Sequence, residues 1–168
     1  VLAAAPSARA AARPASCAGS TRAILFYRYS TWRWQDQRDA RRSPAGHAEQ
    51  SRSCAYRQWA ALRWRVRARQ ERGLYLRWFD ATYAKWACIH EHEGAWNASS
   101  STYGGGLQMD AGFQHTYGPE FETRWGWASK WPVWAQLVAA ERAFRGFGGY
   151  HARCYTPWPN TARACGLL

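Results

Sequence analysis

The chain has 168 residues and a mass of 19.2 kDa. That is room for one domain, or a small domain with an extension, and enough to bury a core without disulfides. A hydrophobic share of 47% against 20% charged excludes a globally disordered chain, and no apolar run approaches the roughly 20 residues a membrane span needs. The net charge of +12 is confined to one half. Residues 1–87 carry 17 of the 23 Lys and Arg with 5 of the 11 Asp and Glu, whereas residues 88–168 carry 6 of each. A basic N-terminal part joined to a neutral C-terminal part attracts polyanions: nucleic acid, anionic lipid or the acidic polymers of a cell wall. The 12 Trp are more indoles than one small core usually holds, and Trp favours half-buried positions and ligand faces.

Residues 1–20 are rich in Ala, with two Pro and two Arg, and lack the residues needed to pack. They read as disordered, either the tail of a secretory signal or an ordinary flexible terminus. A helix is expected over residues 21–42, where Ile24, Tyr27, Thr31 and Trp34 share a stripe, ended by Ser43-Pro44-Ala45-Gly46. A second is expected from Cys54 to Phe79, with Trp59, Leu62, Val66, Gly73 and Leu76 as its inner stripe and five arginines outside. The short connection suggests an antiparallel pair, a basic helical hairpin over 21–80. Its Arg face reads first as solvated surface. A nucleic-acid or membrane-surface role is the alternative, although no base-reading module stands in the sequence.

A third helix is expected over Ala81–Glu93, where Tyr83, Trp86, His90 and Glu93 fall on one face before Gly94. The polar, glycine-rich stretch WNASSSTYGGG follows at 96–106, then a region of Gly, Pro and aromatics. Trp131–Phe144 reads as a further helix opened by Pro132, and 145–168 as irregular. No alternating run is long enough for a large sheet, so the fold class expected is mainly α.

The residue that carries chemistry is Glu93. The end of a helix disfavours another negative charge, and neighbouring indoles withhold water, so this carboxyl is placed to keep a proton and give it. Protonating a glycosidic oxygen is the familiar use of such a group. The plain alternative is a Glu that caps the helix or pairs with Arg. Cys88, His90, His92 and Glu93 lack the HExxH spacing of a zinc helix; no metal and no cofactor is expected.

The stretch from Cys88 through His-Glu-His-Glu-Gly-Ala-Trp96-Asn97, followed by Tyr103-Gly104-Gly105-Gly106-Leu107-Gln108 and a closing Trp158-Pro159 and Cys165-Gly166, resembles the resuscitation-promoting-factor family. These are lysozyme-fold, transglycosylase-like proteins of actinobacteria that cut peptidoglycan. The resemblance covers about residues 81–168 and implies an α+β lysozyme-like domain there, behind the 1–20 segment and the 21–80 extension. It implies cleavage of the muramic acid–glucosamine linkage by a lysozyme or lytic transglycosylase with a single acid. It also implies a Cys88–Cys165 disulfide, a secreted, cell-wall-associated location, a monomer, and peptidoglycan glycan strands and anionic wall polymers as partners. No specific nucleic acid and no transmembrane segment are expected.

Two alignments of the acid compete. Counting five back from Trp96 gives Glu91, as in the factors themselves. Counting three back gives Glu93, as in the wider transglycosylases. The two lie about 160° apart around a helix, so only one faces a cleft. Glu93 shares the stripe of Trp86 and His90 and is preferred. Around it the resemblance assigns substrate contacts to Trp96, Asn97, Tyr103, Gly105, Gly106, Gln108 and Trp158, through stacking on sugar rings, close backbone approach and hydrogen bonding. A non-catalytic wall-binding protein is the alternative from another class, since aromatics and basic charge would serve it equally.

Overall fold

The computed structural model describes residues 17–50, 53–146, 155 and 157–167. Its elements are helices α1 (Cys17–Asp36), α2 (Cys54–Glu93), α3 (Ala111–Tyr117), α4 (Pro119–Trp125), α5 (Val133–Phe144) and α6 (Pro159–Ala164), with short 3-10 turns at His47–Gln50 and Ala128–Lys130. Among the described residues the β-structure consists of isolated bridges joining Gly104 to Ser99 and Met109. The chain is mainly helical, as its pattern predicts.

The expected second and third helices are one element. Phe79-Asp80-Ala81 holds no Gly or Pro to stop a helix, so α2 runs unbroken for 40 residues, about 60 Å at 1.5 Å per residue. The expected boundary at residue 80 falls inside it. Two hydrophobic clusters sit along this helix. The smaller joins Ile24 of α1 to Ala60 and Trp64. The larger gathers Trp86 and Ile89 of α2 with residues of α3–α6.

The basic extension is not an antiparallel hairpin. The first residues of the two helices are joined by a Cys17–Cys54 disulfide. Farther on, Trp32 packs on Trp64 and Gln35 donates to Glu71 at 2.9 Å. The helices therefore run parallel. The segment between them returns along their length, because it is long enough: at about 3.3 Å per residue it spans the roughly 30 Å of α1 with slack. Its path is fixed by polar contacts. Trp32 Nε1 donates to the Ser43 carbonyl at 2.8 Å. Glu49 accepts from Arg28 at 2.5 Å and from Trp64 Nε1 at 2.8 Å.

The stripe expected to be inside faces out. Trp59, Leu62, Val66 and Leu76 are all exposed, and the buried face is Ala60, Trp64 and Ala68 at i, i+4 and i+8. Two alanines let α1 approach closely while Trp64 fills the remaining space. On α1, Ile24 and Thr31 of the expected stripe are buried, with Tyr27 and Trp34 half-buried. We expect Leu62→Gln to change unfolding free energy by less than about 0.5 kcal/mol in a urea titration, as for other exposed positions.

Three further expectations differ. The helix expected from residue 21 starts at Cys17 and stops at Asp36; of the segment 1–20 expected to lack order, residues 17–20 are therefore helical, and 1–16 lie outside the described residues. The region after Met109 contains α3 and α4. Asp110 caps α3 by accepting from Phe113 N–H at 2.7 Å, and Pro119 opens α4 at a first-turn position where its missing N–H costs nothing. The segment 145–168, read as irregular, contains α6, likewise opened by a proline. α5 is the central helix of the larger cluster, with Ala135–Ala140 and Ala143 all buried. Its Glu141 accepts from Trp86 Nε1 and Lys85 Nζ, each at 2.8 Å, locking α5 to α2.

Candidate functional site

α2 ends at Glu93, and Gly94 takes a positive φ of 140° as the chain leaves the helix. The Glu93 carboxylate opens into a cleft of about 270 Å³ whose walls include Tyr103, Gln108, Trp158, Asn160 and Thr161. One Glu93 oxygen accepts a short hydrogen bond from the Thr161 hydroxyl. Thr161 lies on α6, and α6 is tied to α2 by the Cys88–Cys165 disulfide, S–S 2.04 Å and Cα–Cα 5.9 Å. The pairing implied by the resemblance is thus present. Cys17–Cys54 was not legible, and Cys154 lies outside the described residues.

Of the residues expected around the acid, Tyr103, Gln108 and Trp158 share its cleft. Tyr103 is exposed and free to meet a ring. Trp158 is largely core: it is buried, packs edge-on against Trp86 and Phe113, and donates from Nε1 to the Leu107 carbonyl at 2.5 Å. Gln108 holds a left-handed backbone, φ 48°, uncommon for a residue other than glycine, and its side-chain nitrogen donates to the Gly105 carbonyl at 3.1 Å. Strain of this kind gathers at functional sites.

Other expected residues stand elsewhere. The Trp96 ring stacks on His90 at 4.1 Å between centroids, outside the residues lining the cleft. Asn97 is exposed. Gly105 and Gly106 are buried, and their need for glycine comes from protein neighbours. A Cβ on Gly105 would collide with the Gln136 side-chain oxygen, and one on Gly106 would lie 2.7 Å from His90 and 2.8 Å from Trp96. Glu91 is exposed and does not line the cleft.

Two residues that sequence reasoning missed organise the site. Thr161 holds the acid. Gln136, on α5 and wholly buried, holds the glycine loop: Oε1 accepts from Gly106 N–H at 2.8 Å, and Nε2 donates to the carbonyls of Trp96, Ala128 and Trp131 at 2.9–3.1 Å. A Gln inside the otherwise apolar run 133–140 was the available signal, since a buried amide must find partners. Gln136→Leu takes the partner from the buried Gly106 N–H and from the Trp96 and Trp131 carbonyls, while the Ala128 carbonyl keeps Trp131 N–H, so it should lower stability by about 2–3 kcal/mol, read as a shift of the urea midpoint.

The grouping of metal-ligating side chains among the described residues is Cys88, His92 and Cys165. Both sulfurs are bonded to each other, and His92 Nδ1 lies 2.8 Å from the Cys88 carbonyl, so the oxidised chain offers an ion no thiolate there. No helix among the described residues is long and apolar enough to cross a membrane. Compared with protein families, with curated proteins and with solved structures, the chain matches none.

Proposed function

We propose that the chain is a peptidoglycan-cleaving glycosidase, with a lysozyme-like site and Glu93 as its single general acid. The observation that carries this reading is Glu93 itself: a half-buried carboxyl lining a cleft, held by Thr161, with an exposed aromatic residue, Tyr103, in the same lining. The cleft takes the muramic acid–glucosamine linkage. Tyr103 stacks on a sugar face, and Gln108 and Asn160 meet its polar groups. Glu93 gives its proton to the leaving glycosidic oxygen as the anomeric C–O bond breaks. The electron-poor anomeric carbon is then captured by water, as in a lysozyme, or by the sugar's own 6-hydroxyl, giving an anhydro end. The lost proton returns to Glu93, and no cofactor enters the balance.

Two disulfides suit an oxidising, extracellular setting, and the basic extension suits adhesion to anionic wall polymer. The test is incubation of the purified chain with peptidoglycan and mass analysis of the released fragments. Products carrying one added water indicate hydrolysis; products lighter by that water indicate transglycosylation. Binding without fragments would overturn the glycosidase in favour of a wall-binding protein.

A further inference from the structure

A second groove lies away from Glu93, between the end of α1 with the segment after it and helices α4 and α5. Two cavities of about 530 Å³ each have Asp36, Arg42, Arg124, Trp125 and Trp134 in common and form one continuous trough. It shares no lining residue with the Glu93 cleft. Its aromatic wall is Trp32, Trp125 and Trp134. The last two rings meet edge to face at 5.8 Å, and both are half-buried.

The charges along this trough do not cancel. Its carboxylates are engaged: Asp36 takes both hydrogen bonds of Arg42 at 2.7 and 2.8 Å, and Asp39 and Glu120 both hold Arg142. Burial opposes the Arg142 charge, but those hydrogen bonds outweigh it and keep the guanidinium above its ordinary range. Arg33, Arg41 and Arg124 line the same trough and have no carboxylate partner among the described residues. Arg124 sits over the Trp125 ring, 4.8 Å from its centroid, so the cation is carried on the aromatic wall.

We infer that this trough is a binding site for an anionic carbohydrate, whose ring faces pack on Trp125 and Trp134 while its carboxylate or phosphate is taken by Arg124, Arg33 and Arg41. Indole faces suit the C–H faces of a sugar. A guanidinium fork matches a carboxylate or phosphate with two parallel hydrogen bonds. The interspersed acids select a sparsely charged polymer. Duplex DNA, with a charge about every 1.7 Å, would set phosphates against Asp36 and Glu120. Both a glycan strand with its muramyl carboxylates and a sugar-substituted polyol-phosphate wall polymer with its phosphates supply the required ring faces and charge. The site does not depend on Glu93 acting as an acid.

The test is calorimetric titration of the full chain, at low salt, with four probes. These are a peptidoglycan glycan oligosaccharide with free muramyl carboxylates, a neutral chitooligosaccharide of equal length, glucosylated polyglycerol phosphate, and duplex DNA. One or both anionic carbohydrates should bind at least about tenfold more tightly than the neutral one, the scale of one charge-assisted contact; which of the two binds identifies the source of the charge. Arg124→Glu, at an exposed position that keeps the fold intact, should weaken that binding at least about tenfold. Trp134→Ala should also weaken it, with circular dichroism as the check on folding. Leu62→Gln, on the exposed face of α2 and in neither groove, should leave it in place. The proposal is overturned if Arg124→Glu binds as the parent does, if the neutral oligosaccharide binds as tightly as the charged ones, or if duplex DNA binds more tightly than either.

Discussion

Glu93→Gln should lose about 100- to 10,000-fold of the cleavage rate on a peptidoglycan suspension, the usual cost of removing a general acid. The amide keeps the size of the carboxyl and can still accept from the Thr161 hydroxyl, so the cleft is preserved and only the transferable proton is gone. Glycan binding should persist, because Tyr103 and Gln108 are untouched. Glu91→Gln is the control. That side chain is exposed and off the cleft, so its rate should stay within a few-fold of the parent. The measurement is turbidity loss for both variants, with circular dichroism to confirm folding. Loss in Glu91→Gln with Glu93→Gln active would move the acid two residues back. No change in either would remove the glycosidase reading altogether.

Replacing both Cys88 and Cys165 by alanine should lower the unfolding free energy by roughly 4 kcal/mol, the loop-closure value for the 77-residue separation between them. The effect on catalysis should be larger than stability alone explains. The disulfide holds α6 against the end of α2, and α6 brings Thr161 to Glu93 and Asn160 to the cleft. Freed of it, the helix is kept in place by Trp158 and Ala162 in the core, and its first turn can drift. Activity should fall even at temperatures where circular dichroism shows a folded chain. A double variant as stable and as active as the parent would show that core packing alone sets the site. Peptide mapping without reductant gives a direct check, with Cys88 recovered in one linked fragment with Cys165.

The long helices α1 and α5 were legible, and α2 as two pieces, whereas α3, α4 and α6, short and set among Gly, Pro and aromatics, were not; nor was the side of α2 that faces inward. Trp59, Leu62 and Val66 form the more hydrophobic stripe, and Ala60, Trp64 and Ala68 look weak beside it. The inner face is decided by how closely α1 can approach, and small residues decide that. Parallel packing was hidden for a similar reason. Ser43-Pro44-Ala45-Gly46 resembles a tight connection, and only the side chains of Trp32, Gln35 and Glu49 reveal that the segment runs back along α1. At the candidate site, Glu93 was singled out by its place at a helix end, and Tyr103, Gln108 and Trp158 by the family resemblance; the fold brings the four to one cleft. Thr161 was not legible, since an ordinary polar residue gains its role only from what the fold brings to it; Gln136 carried a signal as an amide in an apolar run, but the groups it meets carried none. Gly105 and Gly106 were visible as necessary, but the neighbours that make them so lie on α5 and α2.

The unbroken path of α2 has a mechanical consequence. A polypeptide made of two units normally carries an exposed linker between them, where proteases cut and where one unit swings relative to the other. Here the connection is the middle of a rigid rod, with its backbone amides and carbonyls already engaged. Limited digestion should therefore find no cut near residue 80 that liberates the C-terminal half. The basic stretch of α2 and Glu93 are fixed at one spacing, so a polymer that met both would be presented at a constant reach and angle.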